Sequence, residues 1–348
     1  MSSLLEASTA LARNLRWLDD LQPAADLWRA LASSQHLPGL ADAGGSGELA
    51  ARYLLEDLTR LSSPEPGALR LAYRQAASGP WLCGIRKMAW DSDHFGFGIG
   101  QIYPLVSPPV TEVGEEPIGE GVELLRRSLE HARHLGLRYV GATADPADNL
   151  SLFCLSRCGF ALADTLVTHR LDLQGLSHLA GEPNVRPARE SDRERVEAIS
   201  AECFGNRLYN AHRFNSDPLF PAPAVRELYR LWVRNSCARK LADEVLVYEL
   251  DGEPLGFITL SMPSPLEQER GMEVAHVPLN AVHPDHHGRG IYSSLVRAAL
   301  GWFQVRAVKS VEIKTQLPNV AVHRAWSKLG ARLWTSVHRF RLALDDLP

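Results

Sequence analysis

The sequence has few of the features that mark secreted, membrane-spanning or nucleic-acid-binding proteins. Its five cysteines form no C-x-x-C pair, which argues against a disulfide framework and a zinc ribbon. No apolar run approaches the ~20 residues that a membrane span needs, and a formal net charge of −4 argues against a generic binder of polyanions. The stretch 1–20 lacks the long apolar core of a secretion signal. We therefore expect a cytoplasmic protein that binds neither nucleic acid nor membrane.

The length of 348 residues predicts about two domains, and a hydrophobic fraction of 45% is enough for an ordinary core. Residues 1–75 are predicted to form a helical extension, interrupted by the glycine-rich stretch 41–50. Predicted strands and helices alternate over 76–176 and again over 184–348. Two roles are open for the extension: an added helical layer, or an oligomer contact that would make a homodimer.

An internal repeat relates the two halves of the chain. Residues 123–173 superpose without a gap on 294–344, an offset of 294 − 123 = 171, with ten identities in 51 positions. The predicted helices and strands fall in the same places in both copies. The sequence therefore predicts an α/β protein of two similar modules, each a mixed central sheet flanked by helices.

A glycine-rich loop in the second copy is the candidate phosphate site. The predicted strand VPLNAVHP (277–284) runs into the loop DHHGRG (285–290) and then into the helix IYSSLVRAAL (291–300). Glycines let backbone N–H groups converge on phosphate oxygens, and the helix N-terminus adds roughly half a positive charge. The loop is neither a P-loop nor a Rossmann fingerprint.

At these residues the sequence resembles the GNAT superfamily of N-acetyltransferases, whose diphosphate loop reads [QR]-x-x-G-x-[GA] after V-x-P. Here Val282-His283-Pro284 precedes the run His287-Gly288-Arg289-Gly290-Ile291-Tyr292. His287 replaces the Gln or Arg of the family, and Tyr292 replaces a Gly or Ala, so the bulk of Tyr292 is expected to narrow the phosphate cradle. The next family motif, N-x-x-A-x-x-x-Y-x-x-x-G-F, is matched at Asn319 and Gly330.

The resemblance implies tandem GNAT-like modules and acetyl-CoA as the donor substrate. It implies that the backbone N–H groups of the splayed strand Leu279–Val282 polarise the acetyl carbonyl. The residues that it implies for binding the donor are the end of that strand, the loop, the first helical turn and an asparagine after the next strand: Ala281, Val282, His287, Gly288, Arg289, Gly290, Ile291, Tyr292, Ser293 and Asn319.

The first copy lacks the charge pattern of such a loop. At the offset of 171, Gly288 corresponds to Pro117, which has no N–H to offer, and His287 corresponds to Glu116, whose carboxylate opposes a diphosphate. We therefore expect a degenerate module over 76–176 and a catalytic module over 184–348.

The catalytic acid and base are less well defined than the loop. The family often uses the tyrosine of its last motif to protonate the departing thiolate, but Trp326 stands there, and an indole N–H is not a usable acid. His323, three residues earlier on the same helix, is the alternative acid. His276, His283 and Glu273 are all open as the base that deprotonates the amine. Strand alternation puts the two histidines on opposite faces, so at most one of them faces the site.

The acceptor is suggested by a narrower resemblance. The segments 82–102, with its Trp90-Asp91, and 204–220 are similar to parts of the TDP-fucosamine acetyltransferases, which acetylate a 4-amino sugar on a nucleotide. Cations suit the diphosphate of such a substrate, and flat side chains suit its base. The candidate acceptor-binding residues are Arg207, Tyr209, Arg213, Phe214 and Trp232. Other amines (a protein N-terminus, a polyamine, an aminoglycoside) and a non-catalytic acyl-CoA-binding module remain open.

The end of the strand and the start of the loop together contain three histidines and an aspartate, at positions 283, 285, 286 and 287. Their spacing matches no zinc motif. We expect no metal site.

Overall fold

The computed structural model describes residues 15–18, 34, 36, 46–61, 69–179, 181–206 and 212–346. The chain divides into two compact units. The first comprises the described parts of Met1–Ala163 and Val337–Pro348, and the second those of Asp164–Ser336. Each unit contains a mixed sheet with helices, which confirms the predicted α/β class.

The elements of the first half of the chain alternate between strands and helices. Its described strands are β1 (Leu15–Leu18), β2 (Arg70–Ala76), β3 (Gly79–Lys87), β4 (Gly98–Val106), β5 (Leu137–Ala144) and β6 (Ala161–Asp172). Its described helices are α1 (Gly47–Leu61), α2 (Ala89–Phe95), α3 (Glu115–His134) and α4 (Asn149–Arg157). Strands β1 to β5 pair in sequence order, antiparallel except for the parallel pair β4–β5.

The second half of the chain repeats this alternation. Its described strands are β7 (Val185–Pro187), β8 (Glu244–Leu250), β9 (Glu253–Leu260), β10 (Val274–Val277), β11 (Asn280–Val282), β12 (Ser310–Gln316) and β13 (Arg332–Ala343). Its described helices are α5 (Arg193–Gly205), α6 (Ala222–Cys237), α7 (Pro265–Glu269), α8 (Ile291–Val305) and α9 (Val320–Lys328). Strands β7, β8, β9 and β11 form an antiparallel sheet in the order β11-β9-β8-β7.

The element bounds confirm the internal repeat. Helices α4 and α9 begin 320 − 149 = 171 residues apart and are both nine residues long. Strands β6 and β13 begin 332 − 161 = 171 residues apart and are both twelve residues long. The offset that gives the sequence identities therefore also superposes the secondary structure.

The last strand of each copy of the repeat pairs with a strand of the other copy. Residues 166–172 of β6 pair antiparallel with 310–316 of β12 in the second unit, and 338–343 of β13 pair antiparallel with 139–144 of β5 in the first. The compact units therefore differ from the divisions at 176 and 184 that the repeat suggests, because strand pairing decides to which unit a strand belongs.

The N-terminal extension is not purely helical, which corrects the expectation for 1–75. Helix α1 lies where a helix is predicted, but β1 pairs antiparallel with β2 over Leu15↔Arg74 to Leu18↔Leu71. A sheet edge can override a weak local preference for helix, since the partner strand supplies hydrogen bonds that the local sequence does not encode.

Each unit has its own apolar core. In the first, α3 and α4 contribute Leu124, Leu125 and Leu155 to a cluster around Trp81. In the second, α8 and α9 pack on one face of β10 and β12, and Trp326 lies at the centre of that cluster. Within the described ranges, no helix combines the length and the apolar character that crossing a bilayer requires.

Candidate active site

The candidate site of the second unit lies where two parallel strands part. Strands β10 and β12 pair from Val274↔Ser310 to Val277↔Ile313. After Pro278 the chain turns away, and β11 pairs antiparallel with β9 instead. Residues 314–316 of β12 therefore border a gap in the described part of this sheet. The splayed strand that the sequence predicts at Leu279–Val282 is present.

The hydrogen-bond pattern of β11 shows which of its amides face the gap. Leu279 is tied to β9, because its N–H donates to Oγ1 of Thr259 at 2.9 Å and its carbonyl accepts from the Thr259 N–H at 2.8 Å. The His283 N–H also donates towards β9, to the carbonyl of Leu255 at 2.8 Å. Backbone groups alternate in direction along a strand, so the amides of Asn280 and Val282 point to the gap. They are the candidate donors for a carbonyl oxygen.

The loop after β11 forms an open cradle at the N-terminus of α8. Gly288 has φ +76° and Gly290, the N-cap of α8, has φ +80°, a conformation that favours glycine. A Cβ placed on either glycine would meet no atom within 4 Å. The first amides of α8 have no intrahelical acceptor. Exposed, convergent N–H groups at the positive end of a helix fit the diphosphate of a coenzyme A derivative.

His287 anchors this cradle. Its ring Nε2–H donates to the carbonyl of Val282 at 2.8 Å, which ties the loop to the end of β11. The neighbouring Arg289 is exposed and adds positive charge to the rim. The departure from Gln or Arg at position 287 thus keeps a side chain that orders the loop.

Tyr292 does not narrow the cradle, which corrects the expectation from its bulk. Its side chain packs against the core of the second unit, and its hydroxyl accepts a hydrogen bond from Nε1–H of Trp326 at 3.0 Å. Burial raises the pKa of the Tyr292 hydroxyl. Trp326 is fully buried, so its one polar hydrogen is already used by Tyr292.

His323, the alternative acid, is paired with a second histidine. Its Nδ1 lies 2.7 Å from Nε2 of His169, and its Nε2 lies 3.2 Å from the carbonyl of Gln316 and 3.1 Å from that of Leu317. The carbonyls require an N–H on Nε2 of His323, so its Nδ1 accepts a hydrogen bond from the Nε2–H of His169. Burial, and then the charge of His323, lower the pKa of His169. In this arrangement, the Nε2–H groups of both rings are already engaged in hydrogen bonds.

Asn319 stands at the mouth of the gap, between β12 and α9. Its Nδ2 donates to Oγ1 of Thr315 at 2.9 Å, which fixes the side chain against the end of β12. Its contact with the arm of the donor stays a prediction.

The two histidines of the parting strand have different surroundings. His283 caps the turn Pro284–His286: Nδ1 accepts from the Asp285 N–H at 3.3 Å, and Nε2 lies 3.2 Å from a carboxylate oxygen of Glu202. His283 is thus engaged in shaping the loop. His276, on β10, instead holds Glu267 through Nε2 at 2.7 Å, directly before the strands part.

The candidate acceptor residues are only partly covered by the structure. Arg207 and Tyr209 lie outside the described residues. Phe214 is 7% exposed and belongs to the core, where it packs edge-to-face on Phe220 at 4.9 Å. The guanidinium of Arg213 lies over the Phe214 ring at 4.4 Å.

Trp232 is half-buried at the end of an aromatic stack. Its ring is nearly parallel to that of Tyr229, with centroids 6.0 Å apart, and Tyr229 stacks on Phe204 at 4.6 Å. Of the candidate flat surfaces, Trp232 is therefore the one that stays partly exposed in the described part of the unit, whereas Phe214 does not.

The equivalent place in the first unit is closed. Helix α3 begins at Glu115, so the residues that correspond to the cradle are already helical. The Glu120 carboxylate accepts from the Ala77 N–H at 2.9 Å, and a Cβ on Gly121 would collide with Trp81. Within the described residues of the first unit, the place that corresponds to the cradle is therefore helical and filled.

Three carboxylates that lie beside His276 and His283 were not predicted from the sequence: Glu202, Glu267 and Glu312. One of them has a readable signal. Ser264-Pro-Leu-Glu267 has the S-x-x-E spacing of a capping box, and Ser264 and Glu267 do cap α7 reciprocally. Glu202 and Glu312 carry no such local signal, because their partners are distant in sequence.

Comparison with known families is consistent with this geometry. Residues 206–331 match the model of the Acetyltransferase (GNAT) family, a stretch that contains the parting strands, the cradle and α9. No curated protein matches the sequence significantly.

Solved structures share the fold over most of the chain. The crystal structure of a GCN5-related N-acetyltransferase from Sphaerobacter thermophilus is 14% identical, with a TM-score of 0.61 over 95% of this chain and 96% of that one. A GCN5-related glucosamine N-acetyltransferase region of a fungal multi-domain GH3 β-N-acetylglucosaminidase is 15% identical, with a TM-score of 0.59 over 94% of this chain. The match spans 38% of the fungal protein.

A conserved protein from Staphylococcus epidermidis ATCC 12228 is 11% identical, with a TM-score of 0.51 over 75% of this chain and 90% of that one. At such identities the likeness concerns the fold. Together with the family match, it indicates an N-acetyltransferase.

Proposed function

We propose that this protein transfers the acetyl group of acetyl-CoA to the amino group of a nucleotide-linked amino-deoxy sugar. The observation that carries the proposal is the cradle of Gly288 and Gly290 at the N-terminus of α8, next to the gap between β11 and β12. The cradle suits the diphosphate of a coenzyme, and the amides that face the neighbouring gap suit the thioester at the other end of the same molecule.

The donor would be held by the residues of the loop and of the strand before it. The amides from Gly288 to Ser293 suit the diphosphate, Arg289 adds charge, and Asn319 borders the arm. When bound, acetyl-CoA supplies an activated acyl group. The amides of Asn280 and Val282 would stabilise negative charge on the acetyl oxygen in the transition state.

An amino-sugar nucleotide as acceptor is supported by two kinds of observation. Arg213 and the half-buried Trp232 offer a cation and a flat ring in the second unit. The sequence resembles the TDP-fucosamine acetyltransferases at 82–102 and 204–220, and the fungal structural neighbour is described as a glucosamine N-acetyltransferase region. The protein N-terminus, a polyamine and an aminoglycoside are the competing amines.

A non-catalytic acyl-CoA-binding module is the second candidate. The hydrogen bond between Trp326 and Tyr292 favours this candidate, because the indole N–H is engaged and no acid stands at the position where the family has tyrosine.

All five cysteines are free thiols, which supports a reducing compartment such as the cytoplasm.

The proposed function is tested in two steps. Calorimetry with acetyl-CoA measures donor binding, and release of coenzyme A is then followed with TDP-4-amino-4,6-dideoxygalactose, glucosamine, spermidine and kanamycin. The proposal expects binding and fastest release with the nucleotide sugar. Binding without release on any amine would support the non-catalytic module, and release with spermidine or kanamycin alone would overturn the acceptor.

A further inference from the structure

We propose that the space between His276 and Glu312 binds the acceptor nitrogen and that His276 takes its proton, with Glu267 as the positioning residue. The inference rests on the proposed function, since it names the group that prepares the amine for acyl transfer. Four features of the second unit carry it: the place of His276 in the sheet, the face on which it lies, the spacing of two acceptor atoms and the charges around them.

His276 lies at the last rungs of the ladder before the strands part. It is paired with Glu312 in the parallel register of β10 and β12, and one further pair, Val277↔Ile313, follows before the chain leaves the ladder. The ring is therefore held at the apex of the gap, next to Asn280, whose amide points into the gap. The backbone of His276 is fixed on its other side by two hydrogen bonds with Ser261, of 2.8 and 2.9 Å.

His276 and Glu312 share the face of the sheet that lies opposite α8 and α9. The neighbours of His276, Ala275 and Val277, are buried in the core with α8, and so are the neighbours of Glu312. Alternation turns the two polar side chains to the opposite face. An acceptor can thus approach from the side opposite the helix that begins at the phosphate cradle.

The two side chains present acceptor atoms that one nitrogen can bridge. Nε2 of His276 donates to Glu267 at 2.7 Å, which leaves Nδ1 as the atom with a lone pair. Nδ1 lies 4.0 Å from Oε2 of Glu312, and within the described ranges neither atom makes a hydrogen bond. The Glu312 side chain is only 6% exposed, so its contact with the imidazole is largely shielded from solvent. A primary ammonium, with three donors, suits such a pair.

The charges around His276 distinguish the base from its neighbours. Burial acts to raise the pKa of Glu267, but hydrogen bonds from His276 and Ser264 outweigh it and bring the pKa to about 2. Glu267 is thus an anion at neutral pH and too weak a base. Oε1 of Glu312 is held by Nε of Arg170 at 2.7 Å, and Arg170 stacks over Trp334 at 3.8 Å.

Glu267 and Glu312 are the two carboxylates beside His276; Arg170 pairs with Glu312, and the exposed Lys314 follows Glu312 on the same face of β12. The two carboxylates attract a cationic amine and stabilise the imidazolium that forms when the amine loses a proton. Imidazole is the side chain in this cluster that both accepts and releases a proton readily near neutral pH.

Acyl transfer removes two protons from the acceptor nitrogen. The ammonium gives one proton to Nδ1 of His276, and the freed lone pair forms the C–N bond at the acetyl carbon. The C–S bond breaks with its electron pair on sulfur, and a second proton from the nitrogen ends on the thiolate. The products are the N-acetyl amine, the free thiol and a protonated His276, which returns its proton to water.

The test compares His276→Gln, Glu267→Gln and the control Glu269→Gln, an exposed carboxylate on the same short helix. Thermal unfolding checks the fold of each variant, and calorimetry with acetyl-CoA checks the donor site. Coenzyme A release is then measured as a function of pH with TDP-4-amino-4,6-dideoxygalactose, glucosamine, spermidine and kanamycin. We expect unchanged acetyl-CoA affinity in all three variants, and wild-type kinetics in Glu269→Gln.

His276→Gln should lower kcat by about 100-fold or more near neutral pH, the usual contribution of a general base. Its residual rate should climb steadily with pH as the amine deprotonates on its own, whereas the wild-type rate levels off. Glu267→Gln should lose less, and its acidic limb should move to lower pH, because the imidazolium loses its partner. A merely structural role would not move that limb.

Retained rate and retained pH profile in His276→Gln would overturn this assignment and leave the acetyltransferase in place. A loss of acetyl-CoA affinity in that variant would also overturn it, since His276 would then serve the donor. No acetyl-CoA binding, or no coenzyme A release with any amine, in the wild type would instead overturn the proposed function and this assignment with it.

Discussion

The indole Nε1–H of Trp326 donates to the hydroxyl of Tyr292 across 3.0 Å and so joins α9 to the first turn of α8. These two residues are the main departures of the sequence from the GNAT pattern, and the structure makes them partners. The large residue at position 292 is accommodated because it turns into the core, where the large residue at position 326 meets it. Neither departure disturbs the cradle at Gly288 and Gly290.

The pair gives a prediction for stability. Tyr292→Phe leaves the buried indole N–H of Trp326 without its acceptor, so the free energy of unfolding should fall by about 1–3 kcal/mol. Urea unfolding measures the loss. Tyr248→Phe is the control, since the Tyr248 hydroxyl accepts from Asn184 at an exposed site, and a change within about 0.5 kcal/mol is expected there. Equal effects in both variants would contradict the role of the pair.

The backbone of the cradle gives a prediction for donor affinity. Gly290→Ala introduces a Cβ at φ +80°, which costs about 1–2 kcal/mol unless the loop shifts. A shifted loop should weaken acetyl-CoA binding about tenfold in calorimetry. Gly252→Ala is matched, because Gly252 has φ +83° in a hairpin turn and equally open surroundings. It should lose similar stability and no affinity, so a loss of affinity in both variants would contradict the assignment.

The internal repeat provides the equivalent substitution in the first unit. Gly119 corresponds to Gly290 at the offset of 171, but it lies inside α3, and a Cβ there would meet no atom within 4 Å. Gly119→Ala should therefore stabilise the protein by up to about 1 kcal/mol through helix propensity, without changing acetyl-CoA affinity. Weaker acetyl-CoA binding in this variant would show that the first module also holds the donor.

The histidine pair gives a prediction for pH. Burial lowers the pKa of His169 below its ordinary 6.5 in the folded protein. Below pH 6.5 the unfolded chain then binds more protons than the folded one, so this contribution to stability is complete above that pH and is lost as the pH falls.

Urea unfolding between about pH 7.5 and 5.5 should show a steeper loss for the wild type than for His169→Asn. His131 also has a lowered pKa, but it is present in both proteins, so the difference isolates His169. Identical slopes would contradict a buried His169 with a lowered pKa.

Much of the fold follows from periodicity and from the repeat. Helix α9 and its copy α4 are visible as apolar stripes, and the strand, loop and helix around Gly290 are in the predicted order. The partners of β6 and β13 cannot be predicted from the sequence, because the two strands occupy equivalent places in the repeat. β1 was missed because four residues are too short to show a period against the leucines around them.

Within the candidate site, the sequence predicts the backbone better than the side-chain partners. Positive φ at Gly288 and Gly290 follows from residue type, since glycine adopts that conformation at no steric cost. The direction of Tyr292 and the pairing of His323 with His169 do not, because each depends on a residue far away in the chain. His276 was one of three candidate bases, and it differs from His283 in its place: it lies on the parallel ladder directly before the strands part, whereas His283 caps the turn Pro284–His286.

A crystal structure with acetyl-CoA bound tests the central claim most directly. We expect the diphosphate oxygens on the backbone amides between Gly288 and Ser293, with the thioester in the gap between β11 and β12. A coenzyme that leaves this loop empty, or that binds at α3 of the first unit instead, would contradict the account.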